Sequence, residues 1–207
     1  MTRLAVIRHG ATAWTEARRL QGRHDTCLSV AGAAAVRAWR LPVALSGFDW
    51  FSSPLRRCRE TAALLRGQPV GAPGEADDPA VRLEPRLIEM SFGAWEGRTL
   101  AELRATLGPA MAREEARGLD FQPPEGESPR DVQARLRPWL AERGAAGRDS
   151  IAVTHRGVVR ALYALATGWP MVGKPPVRLI DPALHLFTLS PAGDPTVQAM
   201  NLPVRAP

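Results

Sequence analysis

Four consecutive apolar positions, Leu4 to Ile7, stand between Arg3 and Arg8, and the run stops at His9-Gly10. A stretch this short and uninterrupted predicts a buried strand rather than a helix. The same design returns at residues 151–157, where Ile-Ala-Val-Thr precedes His155, Arg156 and Gly157. Phe48 to Ser52 predicts another buried strand, and Leu184–Leu189 and Val197–Asn201 are two later β-like runs. Helix patterns fall between these. Ser29 caps an alanine-rich run to Trp39, and Ser53-Pro54 opens a helix over Leu55–Leu65 that turns Leu55, Cys58, Ala62 and Leu65 inward. Ser128, with the acidic Asp131 close behind, caps a helix to about Arg143, and Val158–Thr167 forms the next.

The remaining segments are less regular. Thr12–Leu20 reads as a short helix or loop, residues 21–25 as a turn, and residues 67–79, rich in Gly, Pro, Ala and Asp, as an exposed connection. Residues 92–124 carry two short helix patterns around Gly108-Pro109 and end in Gln122-Pro123-Pro124. About thirty residues bury too little surface to fold alone, so this is a helical insertion. Strands alternating with helices predict an α/β three-layer sandwich, a mostly parallel central sheet covered on both faces. The expectation is one domain over 1–207 with a small helical cap insertion at about 92–124. Trp139 and Trp169 are assigned to the core.

Composition narrows the function classes. The 207 residues are 45% hydrophobic and 23% charged, ordinary for a globular chain. The formal charge is +6, from 27 Lys and Arg against 21 Asp and Glu; Lys174 is the only lysine. The arginines are spread rather than clustered, which argues against a nucleic-acid partner. Cys27 and Cys58 are the only cysteines and form no CxxC, which fits a reducing compartment. Four apolar residues before Arg8 are too few for a signal-peptide core, and no stretch reaches membrane-spanning length. A cytoplasmic protein with no membrane partner is expected.

The chemistry concentrates at strand ends, where open α/β sheets bind ligands. Two strands deliver His9 and His155 to one edge. Arg8 beside His9 disfavours protonation of the imidazole, leaving it neutral and nucleophilic. Arg57, in the first turn of a helix that follows a strand, can reach an anion held there, whereas Arg56, one step round the helix, reads as solvated. Glu89 and Glu96 flank the Phe92-Gly93 turn, and either suits a partly dry proton donor; spacing alone does not separate them. A metal hydrolase built from His9, His24, Asp25 and His155 lacks short-range ligand spacing, so no metal is expected.

Taken in order, the motifs carry a resemblance: Arg8-His9-Gly10 with Thr12 and Trp14; Gln21-Gly22 with Asp25 and Leu28-Ser29; Ser53-Pro54-Leu55 with Arg57 and Thr61-Ala62; Glu89 with Phe92-Gly93 and Trp95-Glu96-Gly97; Gly126-Glu127-Ser128; and His155 with Gly157 and Arg160. Nearly the full chain resembles the histidine phosphatase superfamily, the phosphoglycerate-mutase-like fold. The resemblance implies metal-free and cofactor-free phosphoryl transfer through a phosphohistidine on His9. Arg8, Arg57 and His155 then hold the phosphoryl oxygens, and Glu89 is the proton donor. Thr15 stands where that family usually has asparagine, Ala11 and Cys27 replace other frequent residues, and Arg156 stands where glycine is common. Thr15, Gln21, Gly22 and Arg156 are therefore rim candidates, with Trp14, Arg23, His24 and the insertion over the site as pocket walls.

The short interval from Glu89 to Gly126 and the Phe-Gly-x-Trp-Glu-Gly wording resemble the phosphatase branch. The expected function is hydrolysis of a small phosphorylated metabolite. The alternatives are a cofactor-dependent phosphoglycerate mutase and a catalytically weak phospho-ligand binding protein. A dimer is common in similar proteins, so the resemblance allows a homodimer, while the sequence itself does not determine the oligomeric state.

Overall fold

The computed structural model describes residues 1–68, 78 and 80–204. Its six strands are β1 (Thr2–Arg8), β2 (Asp49–Ser52), β3 (Val81–Leu83), β4 (Ser150–Thr154), β5 (Leu184–Leu189) and β6 (Pro195–Leu202). They form one sheet in the order β3-β2-β4-β1-β5-β6. The first four of these are parallel neighbours, while β5 runs antiparallel to β1 and β6 antiparallel to β5. The sheet is thus mostly parallel, with an antiparallel pair on one side.

Because β1 and β4 lie side by side with Arg8 opposite Thr154, the residues that follow them, His9 and His155, emerge together at the same sheet edge. The continuous apolar run of β1 reflects burial on both faces. Leu4 and Val6 pack with Leu136, Trp139, Val158 and Leu162 on one side. Ala5 and Ile7 pack with Val36, Cys58 and Ala62 on the other. The helices supplying these residues are α2 (Val30–Arg37), α3 (Arg56–Leu65), α6 (Pro129–Ala146) and α7 (Arg156–Thr167). The result is the expected three-layer α/β arrangement.

Strong caps set the helix starts. Ser29 accepts the Gly32 N–H at 2.9 Å, and Ser128 with Asp131 forms a reciprocal capping box. The short α1 (Ala13–Glu16) is capped by the Thr12 hydroxyl. The α3 start requires a correction. Its N-cap is Leu55, with no side-chain cap; the Ser53 hydroxyl accepts the Leu55 N–H at 3.3 Å and lies 2.7 Å from Nε2 of His155. The α7 helix begins at Arg156, two residues earlier than its apolar pattern indicated, with His155 as the N-cap. The three-residue β3, interrupted by Arg82, gave no periodic signal and was missed. The exposed connection read at 67–79 lies, for residues 69–77 and 79, outside the described residues.

Residues 92–124 hold α4 (Leu100–Leu107) and α5 (Pro109–Glu115) on either side of Gly108, flanked by two 3-10 turns. Trp95, Leu103 and Met111 form a small cluster of their own, against which Leu20, Leu107 and Phe121 pack. The segment is fastened to the chain after α1, where Leu20 accepts the Gly97 N–H and donates to the Arg98 carbonyl, both at 2.8 Å. Trp139 and Trp169 are buried as expected. No helix among the described residues is long and apolar enough to cross a membrane.

Candidate active site

His9 follows β1 directly, its own N–H bonded to the Thr154 carbonyl at 2.9 Å. Its Nδ1 lies 2.7 Å from the Gly10 carbonyl oxygen, which can only accept; Nδ1 therefore carries the proton and Nε2 carries the lone pair. Burial, then the charges of Arg8 and Arg57, hold its pKa well below the usual histidine value against the Gly10 bond. The ring is neutral near pH 7, with a free nucleophilic nitrogen. Gly10 itself is pinned by its N–H to the Thr61 hydroxyl at 3.0 Å.

His155 stands edge-on to His9, ring centroids 5.2 Å apart. It is wholly buried, and burial followed by the charge of Arg57 keeps it neutral too. Beneath it lies Cys58, whose Sγ is 3.4 Å from Nε2 and donates to the Thr154 carbonyl. Burial pushes that thiol pKa up, so it is an inert packing group.

Arg57 is fully buried in the first turn of α3. Its Nη1 and Nη2 donate to the carbonyls of His24 and Gly22 at 2.7 and 2.8 Å. Its Nε, and that of Arg8, are buried without a partner among the described residues. Gly22 is required at this contact: its φ is +49°, and a Cβ there would stand 1.8 Å from Oε1 of Glu96. Buried cationic donors with no acceptor call for an anion from outside the fold.

The structure separates the two glutamates. Glu89 is buried, with its oxygens accepting the Met90 N–H at 2.8 Å and the Gly157 N–H at 3.3 Å. Burial raises its pKa, against those N–H groups and the charge of Arg57. Glu96 instead accepts the N–H groups of Arg23 and Phe92 and so holds two loops together.

The rim candidates part company. Thr15 joins a hydroxyl and amide network with Thr12 and Gln21, which is buried, and Gln21 also receives Thr26. Gly22 contributes its carbonyl to Arg57. Arg156 lies at the surface, paired with Asp181 at 2.7 Å; the same carboxylate oxygen takes Nη1 of Arg8 at 2.6 Å. Sequence reasoning missed Asp181, which an Asp-Pro dipeptide far along the chain does nothing to signal.

A pocket of about 180 Å³ opens beside His9, bounded by Arg8, Thr15, Trp39, Asp181 and Pro182. Trp14, Arg23, His24 and the insertion at 92–124, expected as walls, do not line it, and neither do Arg57, Glu89 and His155. Trp14 and His24 stack at 4.5 Å, and Arg23 is tied to Glu127. Asp25 accepts the Arg56 N–H, and among the described residues no group of three or more ligand-type side chains is placed to hold a metal.

A family model described as the histidine phosphatase superfamily (branch 1) matches residues 4–202. Glucosyl-3-phosphoglycerate phosphatase of Mycobacterium tuberculosis is 35% identical over 194 residues, covering 83% of this chain and 80% of that protein. A 2,3-bisphosphoglycerate-dependent phosphoglycerate mutase of Methylobacterium radiotolerans is 31% identical, covering 80% and 79%. Among solved structures, a mycobacterial glucosyl-3-phosphoglycerate phosphatase complexed with VO3 superimposes with a TM-score of 0.76 at 28% identity, over 98% of this chain and all of that one.

Proposed function

Because the chain belongs to branch 1 of the histidine phosphatase superfamily, we propose that it hydrolyses a small phosphomonoester through a phosphohistidine on His9. The observation that carries the reading is the pair of buried, unpartnered Nε donors of Arg8 and Arg57 around a histidine whose only free nitrogen is Nε2. An anion with several acceptor oxygens satisfies both donors, and a phosphoryl group is such an anion.

In this reading Nε2 of His9 attacks phosphorus in line with the leaving oxygen. Arg8, Arg57 and His155 surround the equatorial oxygens, and fixed cations in a dry site stabilise the charge there at no reorganisation cost. Glu89, in the protonated form that burial favours, gives its proton to the leaving oxygen as the P–O bond breaks. The resulting carboxylate takes a proton from water, whose oxygen attacks the phosphohistidine; inorganic phosphate leaves and His9 returns neutral. Dividing the displacement in two replaces one hard step by two easier ones. The chain works as one domain, with residues 92–124 as its cap.

The test is phosphate release from sugar phosphates, phosphoglycerates, nucleotides and an aryl phosphate, with His9→Ala as the blank. Full activity in that variant overturns the mechanism. The mutase relative supports a second reading, and interconversion of 3- and 2-phosphoglycerate faster than phosphate release establishes it instead.

A further inference from the structure

The phosphoryl chemistry makes no use of Asp181, although this carboxylate lines the pocket beside His9 together with Arg8. Its Oδ2 accepts from Nη1 of Arg8 at 2.6 Å and from Nη1 of Arg156 at 2.7 Å, so one oxygen holds two guanidinium groups that repel each other when left alone. The choice of nitrogen matters. In a guanidinium the N–H of Nε and the nearer N–H of Nη2 point the same way and form an edge that grips two oxygens of one anion. Asp181 takes Nη1, on the other side, and does not engage that edge; Nε of Arg8 is buried with no acceptor among the described residues. The carboxylate is itself well seated. Asn201, near the end of β6, accepts the Ile180 N–H through Oδ1 and donates from Nδ2 to the Arg178 carbonyl, both at 3.0 Å. Its φ of +58° is one that asparagine tolerates better than most residues. The chain just before Asp181 is thereby tied to the sheet, while Arg156 holds the carboxylate from the start of α7.

We propose that Asp181 is a positioning residue for phosphoryl transfer: it sets the Nε–Nη2 edge of Arg8 toward the phosphoryl oxygens at His9 and keeps the charge of Arg156 from pushing Arg8 aside. The inference rests on the phosphomonoesterase reading. Without the carboxylate, Arg8 keeps its charge but loses its fixed direction, and Arg156 becomes a repulsive neighbour. A misdirected donor weakens the transition state more than substrate capture, which Arg57 and His155 continue to support. The loss therefore falls on kcat rather than on KM. Removing Arg156 costs little while Asp181 is present, and relieves Arg8 once Asp181 is gone.

The experiment follows hydrolysis of 4-nitrophenyl phosphate, whose leaving group needs little protonation, by the wild type, Asp181→Ala, Asp181→Asn, Arg156→Ala and the double variant Asp181→Ala/Arg156→Ala. In Asp181→Ala, kcat is expected to fall by about 10- to 100-fold with KM within a few-fold of the wild type, the scale on which misplaced positioning groups are felt. Asp181→Asn, which keeps an acceptor oxygen for Arg8, is expected to lose less. Arg156→Ala alone is expected to stay within a few-fold of the wild type, and adding it to Asp181→Ala is expected to raise kcat several-fold above that single variant. A merely structural role for Asp181 gives no such recovery. An unchanged kcat in Asp181→Ala, a loss confined to KM, or a double variant no faster than the single overturns the proposal, while turnover by the wild type keeps the phosphatase reading. Thermal melts identify a variant that does not fold, and the decision then rests on Asp181→Asn with and without Arg156→Ala, for which the same signs are expected. A wild type that releases phosphate from no aryl, sugar, glycerate or nucleotide ester removes the phosphatase reading, and this inference with it.

Discussion

His9 and His155 meet edge to face with ring centroids 5.2 Å apart, and neither carries a charge, because each is buried among the same two arginines. Four potential cations thus become two, Arg8 and Arg57, of which Arg8 is already shared with Asp181. In the proposed mechanism the neutral His9 is the reactive form, and its pKa lies well below the ordinary 6.5, so the acid limb of kcat/KM is expected well below that pH. In the proposed mechanism Glu89 acts in its protonated form, which burial favours, and its titration sets the basic limb. After correction for ionisation of the substrate's own phosphate, kcat/KM is expected to be bell-shaped, with Glu89→Gln flattening the basic side. An acid inflection at or above 6.5 contradicts the assignment of His9.

Gly157 gives a sharper handle on Glu89. A Cβ at this position would stand 2.5 Å from Oε1 of Glu89 and 3.3 Å from Cβ of Met90. The first obstacle is the tip of a flexible side chain, so the helix survives while the carboxyl moves. Gly157→Ala is expected to keep the wild-type Tm within a few degrees. It is also expected to slow hydrolysis of alkyl phosphates by about 10²-fold, the usual scale of general acid catalysis. Aryl phosphates, whose leaving groups need less protonation, are expected to lose only a few-fold. Equal losses for both ester types count against Glu89 as the proton donor.

In the proposed mechanism Arg57 is both a ligand group and a brace: its two terminal nitrogens hold the carbonyls of Gly22 and His24, while Nε has no partner among the described residues. Lysine keeps the charge but has no fork, so it cannot serve two carbonyls and an anion together. Arg57→Lys is therefore expected to lower kcat/KM by about 10²–10³-fold, the range seen when one preorganised donor is lost from a transition-state site. It is also expected to cost about 1–3 kcal/mol of stability for the carbonyls left unpaired. Denaturant midpoints and steady-state rates measure the two effects separately.

Much of this arrangement was legible in the sequence for a physical reason. Burial on both faces writes β1 and β4 as plain apolar runs, and the residues that end such runs, His9 and His155, are delivered to one edge by parallel pairing alone. Caps at Ser29 and Ser128 act within three residues, so they too are local. What was lost depends on distant partners. Ser53 serves the helix start only through the Leu55 N–H, and its hydroxyl also meets His155 from 102 positions away, a contact no local pattern announces. Asp181 has meaning only because Arg8, 173 positions earlier, reaches it. Glu89 and Glu96 share a local setting and differ only in whether the amino-terminal end of α7 or the Arg23 backbone lies opposite.

A fourth histidine, outside the site, gives a stability test free of catalysis. His185 on β5 is buried, and its Nδ1 accepts the Asn201 N–H at 3.2 Å, which fixes the neutral ring with its proton on Nε2. Burial lowers its pKa from 6.5 to about 4, against the opposing charge of Asp181. The folded pKa lies below the unfolded one, so the unfolded chain binds the extra proton first as pH falls. The stability contributed by the neutral ring is therefore present above pH 6.5 and is lost as pH falls toward 4. A shift of this size corresponds to about 3 kcal/mol at 1.36 kcal/mol for each pKa unit. His9 and His155 act in the same direction and set the remaining acid sensitivity. In His185→Asn, where the amide oxygen takes over the bond from Asn201, stability at pH 7 is expected to drop slightly. The loss of stability between pH 7 and pH 4, followed by urea midpoints at constant m-value, is expected to be smaller than in the wild type by about that amount. Parallel slopes in the two proteins show that His185 is not neutral in the folded state.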